Sequence, residues 1–233
     1  MRIAEIYASL QGEGLLAGTP SVFVRTSGCN LRCHWCDTPF TSWEPTGEHR
    51  TVADVLAAVA SLGARHVVLT GGEPLIVPES AELCRELRRR GMHVTIETAG
   101  TVFLDAPAEL VSISPKLASS APPADTPGGW ATRHEQARRR DDVILALLEQ
   151  GGYQLKFVVG SRDDCSAAAD WLAALDAARP GGIDRRRVFF MPQGRTAVEL
   201  AGTASWLRER CGALGVRFAP RHHIDWFGHT RGT

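Results

Sequence analysis

The sequence predicts an α/β protein, an open and incomplete (β/α)6-type TIM barrel in a single domain over residues 1–233. Three observations predict it. Strand-like and helix-like segments alternate about six times, the pattern that builds a parallel sheet covered by helices. The clearest strand-like segment, His66-Val67-Val68-Leu69-Thr70, is a short apolar run with β-branched residues, as buried parallel strands are. Successive strands end in glycines or polar residues, which furnishes one rim of the sheet, and β/α barrels carry their active sites on the C-terminal rim.

Taken in order, Ile3, Ile6 and Tyr7 mark one edge of a short strand before the turn-prone Gly12-Glu13-Gly14. QGEG alone is a weak motif, and a solvent loop is its plain reading. Ser21–Arg25 is β-like and leads into a cysteine stretch; residues 39–50 read as loop. Thr51 is placed to cap a helix in which Val52, Val55, Leu56, Val59 and Leu62 recur at helical spacing, and Gly63 stops it. The strand 66–70 runs directly into Gly71-Gly72-Glu73-Pro74, where two glycines let backbone approach a ligand that any Cβ would push away. A helix over 79–90 follows, with Leu83, Cys84 and Leu87 on its apolar side. Strands at 93–96 and 110–113 end in Glu97-Thr98-Ala99-Gly100 and Ser114-Pro115-Lys116.

Residues 118–130 hold three prolines and two glycines and read as irregular loop, a lid or an insertion. A helix over about 133–149, a strand at 153–159, a helix at 163–178, a sixth strand at 187–190 and a last helix over about 196–212 complete the alternation. Met191-Pro192-Gln193-Gly194 closes the sixth strand. The tail, GVRFAPRHHIDWFGHTRGT, starts β-like and becomes densely polar and aromatic.

Formal net charge is zero, which argues against the basic stripe of a nucleic-acid binder. The arginine runs 88–90, 138–140 and 185–187 read as solvated faces. No apolar stretch reaches the ~18 residues of a membrane span. The N-terminal MRIAEIYASLQGEG lacks the apolar core of a signal peptide. Six cysteines, three of them clustered, fit a reducing cytoplasm rather than a disulfide framework.

The chemistry centres on Gly28–Phe40, GCNLRCHWCDTPF, where Cys29, Cys33 and Cys36 stand as C-x3-C-x2-C. Thiolates are soft ligands that select iron–sulfur clusters, zinc or copper(I). No fourth cysteine is near: Cys84, Cys165 and Cys211 are distant and isolated. A structural zinc site completed by His34 or a remote histidine is one reading. The other is a four-iron cluster with one iron left to a non-protein ligand. Asp37 and Thr38 follow with hard oxygens of the kind magnesium prefers. Arg25, four residues before Cys29, could meet an anionic substrate or a surface carboxylate.

The cysteine spacing, with aromatic Trp35 before the last cysteine, resembles the signature of the radical S-adenosylmethionine (SAM) enzymes, and GGEP at a strand end resembles their SAM-binding motif. The likeness extends in order along the chain. LQGEG at 10–14, VFVRTSGCNLRCHWCDT at 22–38, TGGEPL at 70–75, ETAG at 97–100, ISPK at 113–116, LKFVV at 155–159 and the ending HHIDWFGHTRGT together resemble the 7-carboxy-7-deazaguanine synthases. Only the Pro-rich 118–130 stretch has no counterpart in that likeness.

The resemblance implies an incomplete barrel of the radical SAM kind and a lyase of queuosine and 7-deazapurine biosynthesis. It implies conversion of 6-carboxy-5,6,7,8-tetrahydropterin to 7-carboxy-7-deazaguanine with loss of ammonia. SAM would be cleaved to a 5′-deoxyadenosyl radical and regenerated. The implied cofactors are a [4Fe-4S] cluster on Cys29, Cys33 and Cys36, SAM, and Mg²⁺ on Thr38. Trp35, Cys36, Asp37, Gly72, Ser114, Pro115 and Lys116 would meet SAM, as would Met191, Pro192, Gln193 and Gly194, although MPQG departs from the QPMD-like form of some relatives. Leu10, Gln11, Gly12, Arg25, Thr70 and His223 would hold the pterin, and the Thr233 carboxylate would close the site if the tail folds inward. A pterin with several N–H donors and a carboxylate calls for carbonyls, an amide and a guanidinium.

The implied partners are a flavodoxin- or ferredoxin-type electron donor and a second copy in a homodimer, with no nucleic acid and no membrane. Two rivals stand beside this reading: another radical SAM enzyme such as a glycyl-radical activase, and a non-enzymatic zinc or electron-transfer protein.

Overall fold

The computed structural model describes residues 1–233. Its centre is one nine-stranded sheet, unclosed, with strand order β3-β1-β2-β4-β5-β6-β7-β8-β9. The first strands are β1 (Arg2–Leu10), β2 (Pro20–Thr26) and β3 (Glu48–His49). They are followed by β4 (His66–Gly71), β5 (His93–Thr98) and β6 (Leu110–Ile113), then β7 (Gly152–Val159), β8 (Val188–Pro192) and β9 (Arg217–Phe218). From β2 to β9 every pairing is parallel. At the other edge β1 runs antiparallel to β2, and β3 antiparallel to β1.

The sheet is therefore mixed where the alternation alone predicts a parallel one. Residues 11–19 between β1 and β2 are too few for the crossover of a dozen or more residues that a parallel pair needs. β1 is also a full strand of nine residues, longer than its three apolar residues suggest.

The helices are α1 (Pro39–Ser42), α2 (Val52–Leu62), α3 (Glu79–Arg89), α4 (Trp130–Arg138), α5 (Asp141–Leu148), α6 (Arg162–Ala178), α7 (Ala197–Leu214) and α8 (His222–Phe227). Thr51 caps α2 as expected. Its hydroxyl takes the Asp54 N–H, the Asp54 carboxylate takes the Thr51 N–H, and Gly63 ends the helix at φ +73°. The segment read as one helix over 133–149 is two. Arg139 and Arg140 leave helical geometry, and Asp141 and Asp142 start α5 with negative charge at its N-terminus. Asp141 is also held by the indole N–H of Trp171 on α6 at 2.7 Å. No helix joins β5 to β6; residues 99–109 cross as an irregular segment that buries Ala106 and Ala108.

One continuous apolar core lies between sheet and helices. Phe157 of β7 packs edge-on against Trp171 and Phe190, at 5.9 and 5.6 Å between ring centres. No helix is long and apolar enough to cross a membrane.

Candidate active site

A cavity of about 500 Å³ opens at the C-terminal ends of the parallel strands, the rim the sequence predicts to be furnished. Cys29, Cys33, Trp35, Cys36, Asp37 and Thr38 line one end of it. Gly72, Ser114, Lys116 and Met191 line it as well, as do Leu10, Gln11, Gly12, Arg25, Thr70, His223 and Thr233. Pro115, Pro192, Gln193 and Gly194 are not among the lining residues. The Gln193 N–H is spent on the Val159 carbonyl at 2.9 Å, and the Gly194 carbonyl on Arg221 at 2.6 Å.

The cysteine loop is pinned by the end of β4. A Cβ on Gly72 would lie 2.0 Å from the Gly28 carbonyl oxygen and 2.8 Å from Cys29 Cβ. The GGEP glycines are thus needed first for contact between two stretches of backbone. Glu73 completes the joint. It is fully buried, its N–H donates to Gly28 O at 2.9 Å, and its carboxylate accepts from Leu75 N, Thr98 Oγ1 and Ala99 N at 3.1, 2.8 and 2.8 Å. Burial raises the Glu73 carboxyl above its ordinary value, and these donors oppose the rise.

Burial also pushes the Cys29 thiol up to about 12 and Cys33 up to about 11. A metal must therefore displace protons on binding, and its own charge supplies the drive. Cys29 Sγ accepts the Leu31 N–H at 3.4 Å and Cys36 Sγ accepts the Ser42 hydroxyl at 3.3 Å. No three His, Cys, Asp or Glu side chains gather tightly enough for a single ion. His34 turns its Nδ1 to Ala121 O, 3.2 Å away at the surface.

The cavity also holds a charge network that the motifs only partly reveal. Lys156 of β7 lies 2.8 Å from Glu13 and 3.8 Å from Glu97. Arg221 approaches Glu13 at 3.4 Å and also binds Asp37. Burial alone would raise the Glu13 carboxyl, but Lys156, then Arg221 and His223, hold it well below the usual carboxylate range. Burial would depress Lys156, yet Glu13 and Glu97 lift it above an ordinary lysine. Glu97 accepts from Gln11 Nε2 at 3.1 Å and Thr70 Oγ1 at 3.0 Å. A Cβ on Gly12 would come 2.7 Å from His223, so QGEG is a joint under α8 rather than a solvent loop. Arg25 donates to Glu5 at 2.7 Å and to the Tyr7 hydroxyl at 2.8 Å, and Arg231 of the tail reaches Glu5 at 2.9 Å. The tail does fold inward, with residues 229–233 lining the cavity.

Residues 23–120 match the Radical SAM superfamily. Over 99% of its length the chain is 44% identical to 7-carboxy-7-deazaguanine synthase of Rhodopirellula baltica, covering 88% of that protein. It is 48% identical to the enzyme of the same name from Halobacterium salinarum, over 95% of this chain and 88% of the relative. The chain belongs to the 7-carboxy-7-deazaguanine synthase family. The crystal structure of QueE from Escherichia coli superposes with a TM-score of 0.66 at 26% identity, covering 95% of this chain and 94% of that one.

Membership of this radical SAM family implies a [4Fe-4S] cluster and SAM, and the residues present suit them. Three soft sulfurs line one cavity, and two of them already take hydrogen bonds of the kind that tune cluster potentials. The same cavity is also lined by Glu13, Lys156, Arg221, Glu5 and Tyr7, to which the sequence alone assigns no role. Glu13 and Lys156 fall inside the LQGEG and LKFVV stretches, and the further signal for Lys156 is a charge within the otherwise apolar YQLKFVV.

Proposed function

We propose that this chain is a lyase of the queuosine and 7-deazapurine pathway that turns 6-carboxy-5,6,7,8-tetrahydropterin into 7-carboxy-7-deazaguanine with release of ammonia. The observation that carries the reading is a single cavity lined both by three sulfur donors and by an array of both charges. When bound, the reduced cluster and SAM supply a 5′-deoxyadenosyl radical able to take a hydrogen atom from the pterin. An external one-electron donor is then required.

The protein's own part is to bind, orient and shield. Cys29, Cys33 and Cys36 hold the cluster, and Ser114, Lys116, Gly72, Trp35 and Met191 border the space for SAM. Glu13, kept charged by Lys156, and Glu97 beside the same lysine accept N–H groups of the pterin, while Gln11, Thr70 and His223 fix its plane. Arg25 takes an anionic group at the far wall.

Thr38 offers its hydroxyl to Mg²⁺. Thr41 Oγ1 donates to the Thr38 carbonyl at 2.9 Å, so in the 3.1 Å contact between the two hydroxyls Thr38 is the donor and its lone pairs stay free. Asp37, the other hard-oxygen candidate, is committed to Arg221. The inward tail excludes water from the radical.

The test is an anaerobic assay of reconstituted protein with SAM, dithionite, Mg²⁺ and 6-carboxy-5,6,7,8-tetrahydropterin, read by mass spectrometry. Formation of 7-carboxy-7-deazaguanine is expected. Reductive SAM cleavage without that product would remove the substrate assignment.

A further inference from the structure

The Pro-rich stretch that no motif explains is tied to the cysteine loop. Residues 118–120 and 127–129 each form a single tight helical turn, and Trp130 opens α4. The fully buried Ser120 accepts the His34 N–H on its carbonyl at 3.1 Å. The fully buried His134 of α4 accepts the Arg32 N–H on Nδ1 at 3.2 Å. A backbone N–H can only donate, so Nδ1 is bare and the ring proton sits on Nε2. That proton points to Ser120 Oγ at 2.9 Å, and Ser120 Oγ–H goes on to the Leu117 carbonyl at 2.6 Å. Every polar atom of the relay has a partner, and burial pushes the His134 pKa down to about 4, which keeps the ring in this form.

Outside this buried relay lies a second attachment. The Arg32 guanidinium stacks on Trp130, 3.8 Å from the ring centre. The same side chain donates to the Cys29 and Leu31 carbonyls at 2.9 and 2.8 Å. The residues on either side of Cys33 are therefore both held, by backbone and side chain, from a segment about a hundred positions later.

We infer that residues 117–138 are a clamp that sets the cysteine loop in its ligand-ready form before metal arrives, with His134 and Ser120 as positioning residues and the Arg32–Trp130 stack as an outer latch. Loops this rich in polar backbone are ordinarily mobile, and the one large apolar side chain this loop buries, Leu31, packs in a small cluster with Cys33 and Ala99 against which Ala137 of α4 is also placed. The clamp supplies the missing partners. It concerns the cysteine loop whatever substrate the cavity takes, so it stands or falls apart from the pterin assignment.

The test is amide hydrogen exchange on metal-free protein, at Arg32 and His34. In the wild type both amides exchange slowly. Trp130→Ala, at the half-buried outer latch, and His134→Ala are each expected to speed Arg32 exchange about tenfold or more, the loss of roughly one buried hydrogen bond. His134→Gln, whose amide can both accept and donate, restores most of the protection. Iron–sulfur incorporation, followed by absorbance, slows in the same order. Fast exchange at both amides in the wild type would overturn the clamp. So would a Trp130→Ala protein, folded by circular dichroism, with unchanged exchange and unchanged cluster uptake; that variant decides the matter even if His134→Ala fails to fold.

Discussion

The ammonium of Lys156 lies 2.8 Å from the carboxylate of Glu13, a residue 143 positions earlier, and the lysine side chain is only 4% exposed. The pair links β7 to the turn after β1 across the cavity. Glu97 and Arg221 extend it, so two carboxylates and two cations share one desolvated volume. Breaking such a set by removing one charge is costly, because the remaining charge is left buried without its partner.

Lys156→Met should therefore reverse the shift at Glu13. Burial then acts on that carboxyl with only Arg221 and His223 opposing it, and its pKa rises. In the wild type Glu13 stays ionised well below neutrality, so pterin affinity is flat between pH 6 and pH 8. In the variant the affinity is about 10–100-fold weaker at pH 7, the scale of one lost charged hydrogen bond, and it weakens further as pH falls. Anaerobic calorimetry at several pH values reads both effects. An equally flat profile in the variant would show that Glu13 does not depend on Lys156.

Gly72→Ala tests the joint between β4 and the cysteine loop. The new Cβ would meet the Gly28 carbonyl oxygen at 2.0 Å, and a backbone oxygen cannot swing aside as a side chain can. The expected cost is about 1–3 kcal/mol from overpacking, with reconstituted iron per chain falling to roughly half or less. Gly63→Ala is the matched control. It stands at φ +73° in open space, so it loses only about 1 kcal/mol of conformational preference and keeps full iron content. Iron analysis and thermal melts on the two proteins separate displacement of the loop from general destabilisation.

That contrast also shows what could be read from the chain before its structure. The parallel strands, the Thr51 cap and the cysteine loop rest on local patterns of period, capping and spacing, and these survive folding unchanged. The antiparallel β1 edge depends on the shortness of a connection, which periodicity does not register. At the break between α4 and α5, Asp141 meets Trp171, a contact between distant residues that periodicity does not register. In the site, Gly72 was legible as a glycine that permits close approach and Gly12 only as part of a turn, but not that the groups they meet are Gly28 and His223. Glu13 and Lys156 lie in stretches the sequence singles out and Arg221 does not, but only folding reveals that the three neutralise one another.

Thr38→Ala probes the magnesium role. Thr38 contacts the fold through Thr41, and α1 keeps its backbone bonds without the hydroxyl. Cluster content and reductive SAM cleavage should stay within about twofold of wild type, while the Mg²⁺ concentration for half-maximal turnover rises by roughly tenfold, the worth of one oxygen ligand taken as a charge-assisted contact. A magnesium titration that superposes on the wild type would remove Thr38 from the metal site.

Two buried histidines give the fold an acid limit of their own. His66 lies between Ser21 Oγ at 2.7 Å and Thr95 Oγ1 at 2.8 Å, and burial, aided by the neighbouring His93, pushes its pKa down to about 4. His134 is depressed to about 4 as well, chiefly by burial. Both must stay neutral in the folded protein, whereas in the unfolded chain they take up protons near pH 6.5. The unfolded state thus binds more protons between about pH 6.5 and pH 4, so stability is complete above that window and falls as pH drops through it, by about 1.4 kcal/mol per histidine per pH unit. Melting temperature should fall by roughly 5–10 °C from pH 7 to pH 5. His66→Gln, which keeps an acceptor and a donor between the two hydroxyls, should lower stability at pH 7 but flatten the slope by about half of the histidine contribution. A slope unchanged by the substitution would assign the acid sensitivity to carboxylates instead.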